Sequence, residues 1–146
     1  MAQVLRMSGY ATSVFGKWHL APSWEQSPAG PFDRWPTGLG FDKFYGIIGA
    51  ESSQWEPPVY DQTTPISPHV GNPDYHLTED LADQTIAWIE RQQVSRPNQP
   101  FFTYFSTPAL HAPHHVACEW IDKFKGQFDG GWDVLREEIY ERQLKL

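Results

Sequence analysis

The sequence predicts an α/β fold: a mostly parallel central sheet flanked by helices, and an incomplete one. Three observations carry this. An apolar, strand-like run from Ala11 to Phe15 lies between Gly9 and Gly16. A second such run, Phe101 to Ser106, comes far downstream, and the clearest helical pattern, opening at Thr78, lies between them. A strand, a long crossover containing a helix, and a second strand is the order of a parallel sheet.

Met1 to Gly9 reads as the tail of a helix running into a glycine stop. A chain that begins inside a helix is expected to be truncated, so the missing secretory-leader pattern carries no information about compartment. Residues 21–75 hold Pro22, Pro28, Pro31, Pro36, Pro57, Pro58, Pro65, Pro68 and Pro73, and read as loop. Within them only Phe41 to Ile48 looks like an ordered strand or turn. So long a loop is uncommon unless it is functional or held by other parts.

Thr78 is the expected N-cap of the main helix, and Glu79 and Asp80 in its first turn complement the helix dipole. Leu81, Ala82, Ile86 and Ile89 recur at helical spacing as the expected buried face, with Trp88 at its edge. Arg91 sits near the helix end, and Pro97 and Pro100 punctuate the loop before Phe101–Ser106, which is expected to be a buried strand. Helical segments at about 118–125 and 132–145 complete what is expected to be one incomplete domain, residues 1–146.

Composition excludes several classes. With 40% hydrophobic residues and seven tryptophans in 146 residues the chain is globular. A net charge of −7 and the absence of a basic block disfavour a nucleic-acid partner. The single cysteine, Cys118, rules out an intramolecular disulfide and a multi-cysteine zinc site. No run is long and apolar enough for a transmembrane helix.

The chemistry concentrates in two places. Gly16-Lys17-Trp18-His19-Leu20 puts a cation and an imidazole two residues apart at a strand end. In extended chain such residues point to one face, so Lys17 and His19 can converge on one anionic ester while Trp18 turns away into packing. The plain alternative is a solvated loop entry. The second place is Leu110-His111-Ala112-Pro113-His114-His115, just past the strand at 101–106. Ligands of open α/β folds gather outside the carboxyl ends of strands. A metal site and incidental surface histidines both remain open for it. No carboxylate is obviously paired to these histidines as a co-ligand.

The wording of these segments resembles the type I sulfatases, of the alkaline-phosphatase-like superfamily. Gly9-Tyr10-x-Thr12-x-x-x-Gly16-Lys17-Trp18-His19-Leu20 is similar to the second characteristic segment of that family. Pro100-Phe101-Phe102-x-Tyr104-Phe105 followed by His111-x-Pro113-His114 resembles its next active-site segment. Gly38-x-Gly40-Phe41-Asp42-x-Phe44-Tyr45-Gly46, Tyr75 to Asp83 and Gly131-Trp132-Asp133-x-Leu135-Arg136 also match, in family order. The resemblance implies part of an alkaline-phosphatase-like sandwich and the hydrolysis of sulfate esters, either of small molecules or of sulfated glycans. It implies that Lys17 binds sulfate and nucleophile oxygens, that His19 helps remove the proton that releases sulfate, and that His111 binds sulfate or protonates the departing oxygen. His114 and His115 become loop structure or substrate-side contacts. Bacterial members are typically periplasmic or secreted.

Two family features are missing. The nucleophile motif Cys/Ser-x-Pro-x-Arg, matured to formylglycine, is absent: Cys118 precedes Glu119-Trp120-Ile121-Asp122, and in Ser106-Thr107-Pro108-Ala109-Leu110 a leucine stands where arginine is required. The acidic and amide residues that hold the family's divalent cation, calcium, are not recognisable, so no metal ligand is assigned. Ala21 replaces a usual glycine and is tolerable only at negative φ. The chain alone is therefore expected to be an inactive internal fragment. A phosphodiester or phosphonate hydrolase of the same superfamily, or a non-catalytic anion- or glycan-binding relic, are the alternatives.

Overall fold

A computed structural model describes residues 1–146, in two compact units, Met1–His115 and Val116–Leu146. In the first unit, α1 spans Ala2–Met7 and stops at Ser8 and Gly9, the latter at φ +89. β1 then runs from Ala11 to Trp18. It continues through Gly16, where the sequence predicts an end, because Gly16 is a paired position that takes φ +124, a conformation side chains rarely adopt. Lys17 thus lies within the strand.

β1 pairs in parallel with β2 (Lys43–Ile48) on one side and with β5 (Phe101–Ser106) on the other. Gly16 is opposite Gly46 and Ser106 in the two registers. The region read as loop also holds an antiparallel hairpin, β3 (Val59–Asp61) and β4 (Thr64–Ile66), which extends the sheet to the order β4-β3-β2-β1-β5. Its signal was the β-branched and aromatic content of 59–66, masked by Pro65. Pro65 is tolerated because β4 is an edge strand, where a missing N–H need not break the sheet. Gln62 turns the hairpin at φ 59, and its side chain is tied to β2: its Oε1 accepts from the Phe44 amide at 2.8 Å and its Nε2 donates to the Asp42 carbonyl at 3.0 Å.

Alternation along β1 sorts its side chains into two cores. Ala11 and Phe15 pack with Tyr45, Ile47 and the buried face of α2 (Leu77–Ser95). Val14 and Trp18 pack on the other face with Ala2, Trp35, Phe41 and Phe44. Trp18 turns into packing as its position predicts: it is 5% exposed, and its Nε1 donates to the Arg34 carbonyl at 2.8 Å. Ala21 is buried and is not among the residues of positive φ, which meets the condition its side chain imposes.

Three expectations need correction. The N-cap of α2 is His76, whose Nδ1 accepts from the Thr78 amide at 3.3 Å. Thr78 lies inside the helix, with its hydroxyl at 3.2 Å from Gln54 Oε1. The buried face of α2 is Leu77, Leu81 and Trp88, whereas Ile86 is 54% exposed, since it lies off the stripe that meets the sheet. β5 is not buried: Phe101, Tyr104 and Phe105 are 37%, 45% and 42% exposed, because β5 is the last strand of the sheet.

The second unit holds α3 (Cys118–Lys123) and α4 (Gly131–Gln143), neither of which buries a residue. Phe124 stacks on Phe128, and the Lys123 ammonium lies 3.4 Å from the Trp120 ring centroid. No helix of the chain is long and apolar enough to cross a membrane.

Candidate functional site

At the carboxyl ends of β1 and β5 the chain forms a cavity of about 260 Å³, lined by Lys17, Ser106, Thr107, Pro108, Leu110 and His111. Three neighbouring strand positions, Gly46, Gly16 and Ser106, lie side by side just before Lys17, and of these Ser106 lines the cavity. A Cβ on Gly16 would lie 1.9 Å from the Ser106 carbonyl oxygen. This close approach holds β5 against β1 just before Lys17. Lys17 is half-buried at the penultimate position of β1. Its ammonium forms no salt bridge with any carboxylate of the chain, so the charge is available to an anion.

His111 follows β5 through a turn closed by its own amide, which donates to the Pro108 carbonyl at 2.9 Å. Its Nδ1 lies 3.0 Å from the Ala112 carbonyl oxygen. A carbonyl only accepts, so Nδ1 carries the proton in that contact and Nε2 is the nitrogen left for other chemistry. The Glu51 carboxylate stands 3.8 Å from the same Nδ1. Lys17 and His111 therefore meet at one cavity, as their positions near the carboxyl ends of two neighbouring strands predict.

The other residues singled out in the sequence fall outside it. His19 is exposed beyond the end of β1 and does not line the cavity. His114 is exposed in the loop at φ 56. His115 points to a different neighbour: its Nδ1 accepts from the Gln54 amide at 3.4 Å, and its ring stacks on Trp55 at 6.0 Å and 8°. Sequence reasoning missed Glu51 and Gln54, because only the fold brings the 51–56 segment to the histidine loop. It also set aside Ser106 to Leu110 for lacking a nucleophile motif, yet that segment forms the cavity wall.

A family model described as Sulfatase matches residues 1–145, nearly every position of the chain. The chain belongs to the sulfatase family. Among the relatives of this chain is the arylsulfatase of Klebsiella aerogenes, 30% identical across 95% of this chain and 30% of its own length. Among solved structures, Ps i-CgsB in complex with k-i-k-neocarrahexaose superposes with a TM-score of 0.67, at 19% identity, over 85% of this chain and 29% of that one. BT4656 in complex with its substrate D-glucosamine-2-N,6-O-disulfate superposes with a TM-score of 0.60, at 20% identity, over 87% of this chain and 22% of that one. These likenesses show the fold: a mixed α/β sheet of the alkaline-phosphatase-like kind. The chain spans 27% and 30% of the length of the first two curated relatives it matches.

Sulfatases are generally metal-dependent, and the residues of this chain do not fit a cation site. No group of three or more His, Cys, Asp or Glu side chains is placed to hold a metal ion. The carboxylates nearest the sheet are otherwise engaged. Asp42 accepts from the Thr12 amide and hydroxyl at 3.0 Å, Asp61 pairs with Lys43, and Asp80 accepts from two tyrosines. A hard cation takes about six or more oxygens, so these scattered groups fall short.

Proposed function

We propose that this chain forms the sulfate-facing wall of the catalytic domain of a sulfuric ester hydrolase, arylsulfatase-like in its chemistry. One observation carries the reading: Lys17 and His111, distant in sequence, line one cavity at the carboxyl ends of neighbouring strands. Lys17 supplies fixed positive charge to the ester sulfate and to charge that builds on its oxygens as the S–O bond breaks. His111 supplies a proton to the departing oxygen; its Nδ1–H···O contact with Ala112 would orient the ring so that Nε2 is the donating atom when protonated. His19 takes the lesser role of proton acceptor near the strand end, and His114 that of a contact with the rest of the substrate.

The family's formylglycine nucleophile and calcium ion belong to this reading, but neither has its residues in this chain. The part of Lys17, His19 and His111 is to bind, orient and transfer protons. We assign the whole chain, residues 1–146, to one incomplete catalytic domain. The substrate class is a sulfate ester of a small molecule or of a glycan, supported by the disulfated glucosamine that the BT4656 structure holds as its substrate.

A chromogenic aryl sulfate and the matching aryl phosphate, incubated with the purified 146-residue chain, test the assignment. Groups that act as a unit lose most of their rate without the nucleophile, so the chain alone is expected to turn over neither ester. Turnover of the aryl sulfate at ordinary enzymatic rates would show that a nucleophile is present and overturn the division of roles. Turnover of the phosphate alone would move the chain to phosphoester chemistry.

A further inference from the structure

A second cavity, of about 420 Å³, has a different chemistry. Its lining includes Trp55, Glu56, His69, Asn72 and Tyr75, and contains no lysine or arginine. The volume is that of an ordinary small-ligand pocket, and the mixture of aromatic surface with a few polar groups is the usual lining of one. Glu56 is exposed at the rim and disfavours a sulfate group there by like charge. His69 has its Nδ1 buried and unpaired, which leaves Nε2 as the polar edge of the ring.

The indole of Trp55 is held in a fixed orientation, 39% exposed. It stacks in parallel on His115 and meets His76 edge-on at 4.7 Å and 72°. An aromatic surface fixed before binding loses little freedom when a ligand arrives. The segment 51–56 also joins the two cavities. Glu51 faces His111 at one end, Gln54 bonds His115 in the middle, and Trp55 and Glu56 line the second cavity at the other end.

From this we infer that the second cavity is a subsite for an uncharged sugar unit of the substrate, stacked by its C–H face on Trp55 and hydrogen-bonded by Glu56, Asn72 and His69. The inference rests on the sulfate-ester reading and narrows it to a glycan in which a sulfated unit at Lys17 and His111 is accompanied by an unsulfated one.

Saturation-transfer difference NMR on the 146-residue chain, with lactose, cellobiose and N,N′-diacetylchitobiose as neutral probes, tests it. At least one probe is expected to bind, with affinity falling about tenfold or more in Trp55→Ala and less in Trp55→Phe. Lys17→Ala is expected to leave that binding unchanged. If Trp55→Ala fails to fold, the exposed residues Glu56 and Asn72, each changed to alanine, are expected to weaken binding instead. Absence of binding by all three probes, or binding unmoved by every one of these variants, overturns the subsite. The sulfate reading is scored separately, by thermal protection with inorganic sulfate in wild type against Lys17→Ala. Sugar binding with no such protection would leave the cavity a sugar site and remove the sulfated neighbour.

Discussion

Gly46 lies against the Gly16 carbonyl so closely that a Cβ on Gly46 would stand 1.9 Å from its oxygen. A Cβ on Gly16 would meet the Ser106 carbonyl oxygen at the same distance, and both glycines sit at positive φ. Neither neighbour is a flexible side chain, so the overlap can be relieved only by moving strands. Gly16→Ala and Gly46→Ala are each expected to destabilise the chain by about 3 kcal/mol or more. Urea unfolding checks this through the midpoint; a change within experimental error would show that the strands yield freely at this row.

Inorganic sulfate is expected to raise the thermal unfolding temperature, through the Lys17 ammonium. At ten times the dissociation constant the stabilisation is about 1.4 kcal/mol, and added salt screens it. Lys17→Ala is expected to abolish the shift and Lys17→Arg to keep part of it. An equal shift in Lys17→Ala would place the anion elsewhere.

The Tyr45 and Tyr75 hydroxyls both donate to Asp80 Oδ2, at 2.6 and 2.8 Å. Burial, followed by the hydrogen bond to Asp80 and its negative charge, pushes both phenols well above their ordinary value. The folded chain therefore keeps protons that the unfolded chain releases above pH of about 10. This contribution is fully present below that pH and declines as pH rises past it, by at most about 1.4 kcal/mol per pH unit for each tyrosine. Tyr75→Phe is expected to make the alkaline decline shallower, measured by denaturant midpoints across alkaline pH. A decline as steep as in wild type would assign it to other groups.

The cap of α2 is testable at one amide. His76→Ala is expected to cost about 1 kcal/mol and to speed hydrogen exchange of the Thr78 amide, whereas His76→Asn keeps the acceptor. Thr78→Ala retains that amide and its partner, so exchange there is expected to stay slow. The opposite pattern would restore Thr78 as the cap.

Much of the fold was legible because it follows from local pattern. The apolar runs at Ala11–Phe15 and Phe101–Ser106 became β1 and β5, paired in parallel, and the periodic segment after Thr78 became α2. The β3–β4 hairpin was hidden by Pro65, which suppresses a strand pattern unless the strand is known to be an edge. His76 was passed over because threonine is the better cap by type, and only the contact with Gln54 shows why Thr78 is occupied elsewhere.

By itself, the sequence determined which groups are candidates for the chemistry: a lysine and histidines at strand ends, in wording that resembles one family. Residue type and position after a strand are local properties, and they are written in order along the chain. Only the tertiary structure decided which of these groups share a cavity. It joined Lys17 to His111, left His19 and His114 in the open, and carried Trp55 to His115. Such meetings depend on strand register and on where each loop lands, which no local pattern encodes. Here they pass through a row of glycines, where Gly16 and Gly46 hold a backbone conformation in which a side chain would collide with the neighbouring strand.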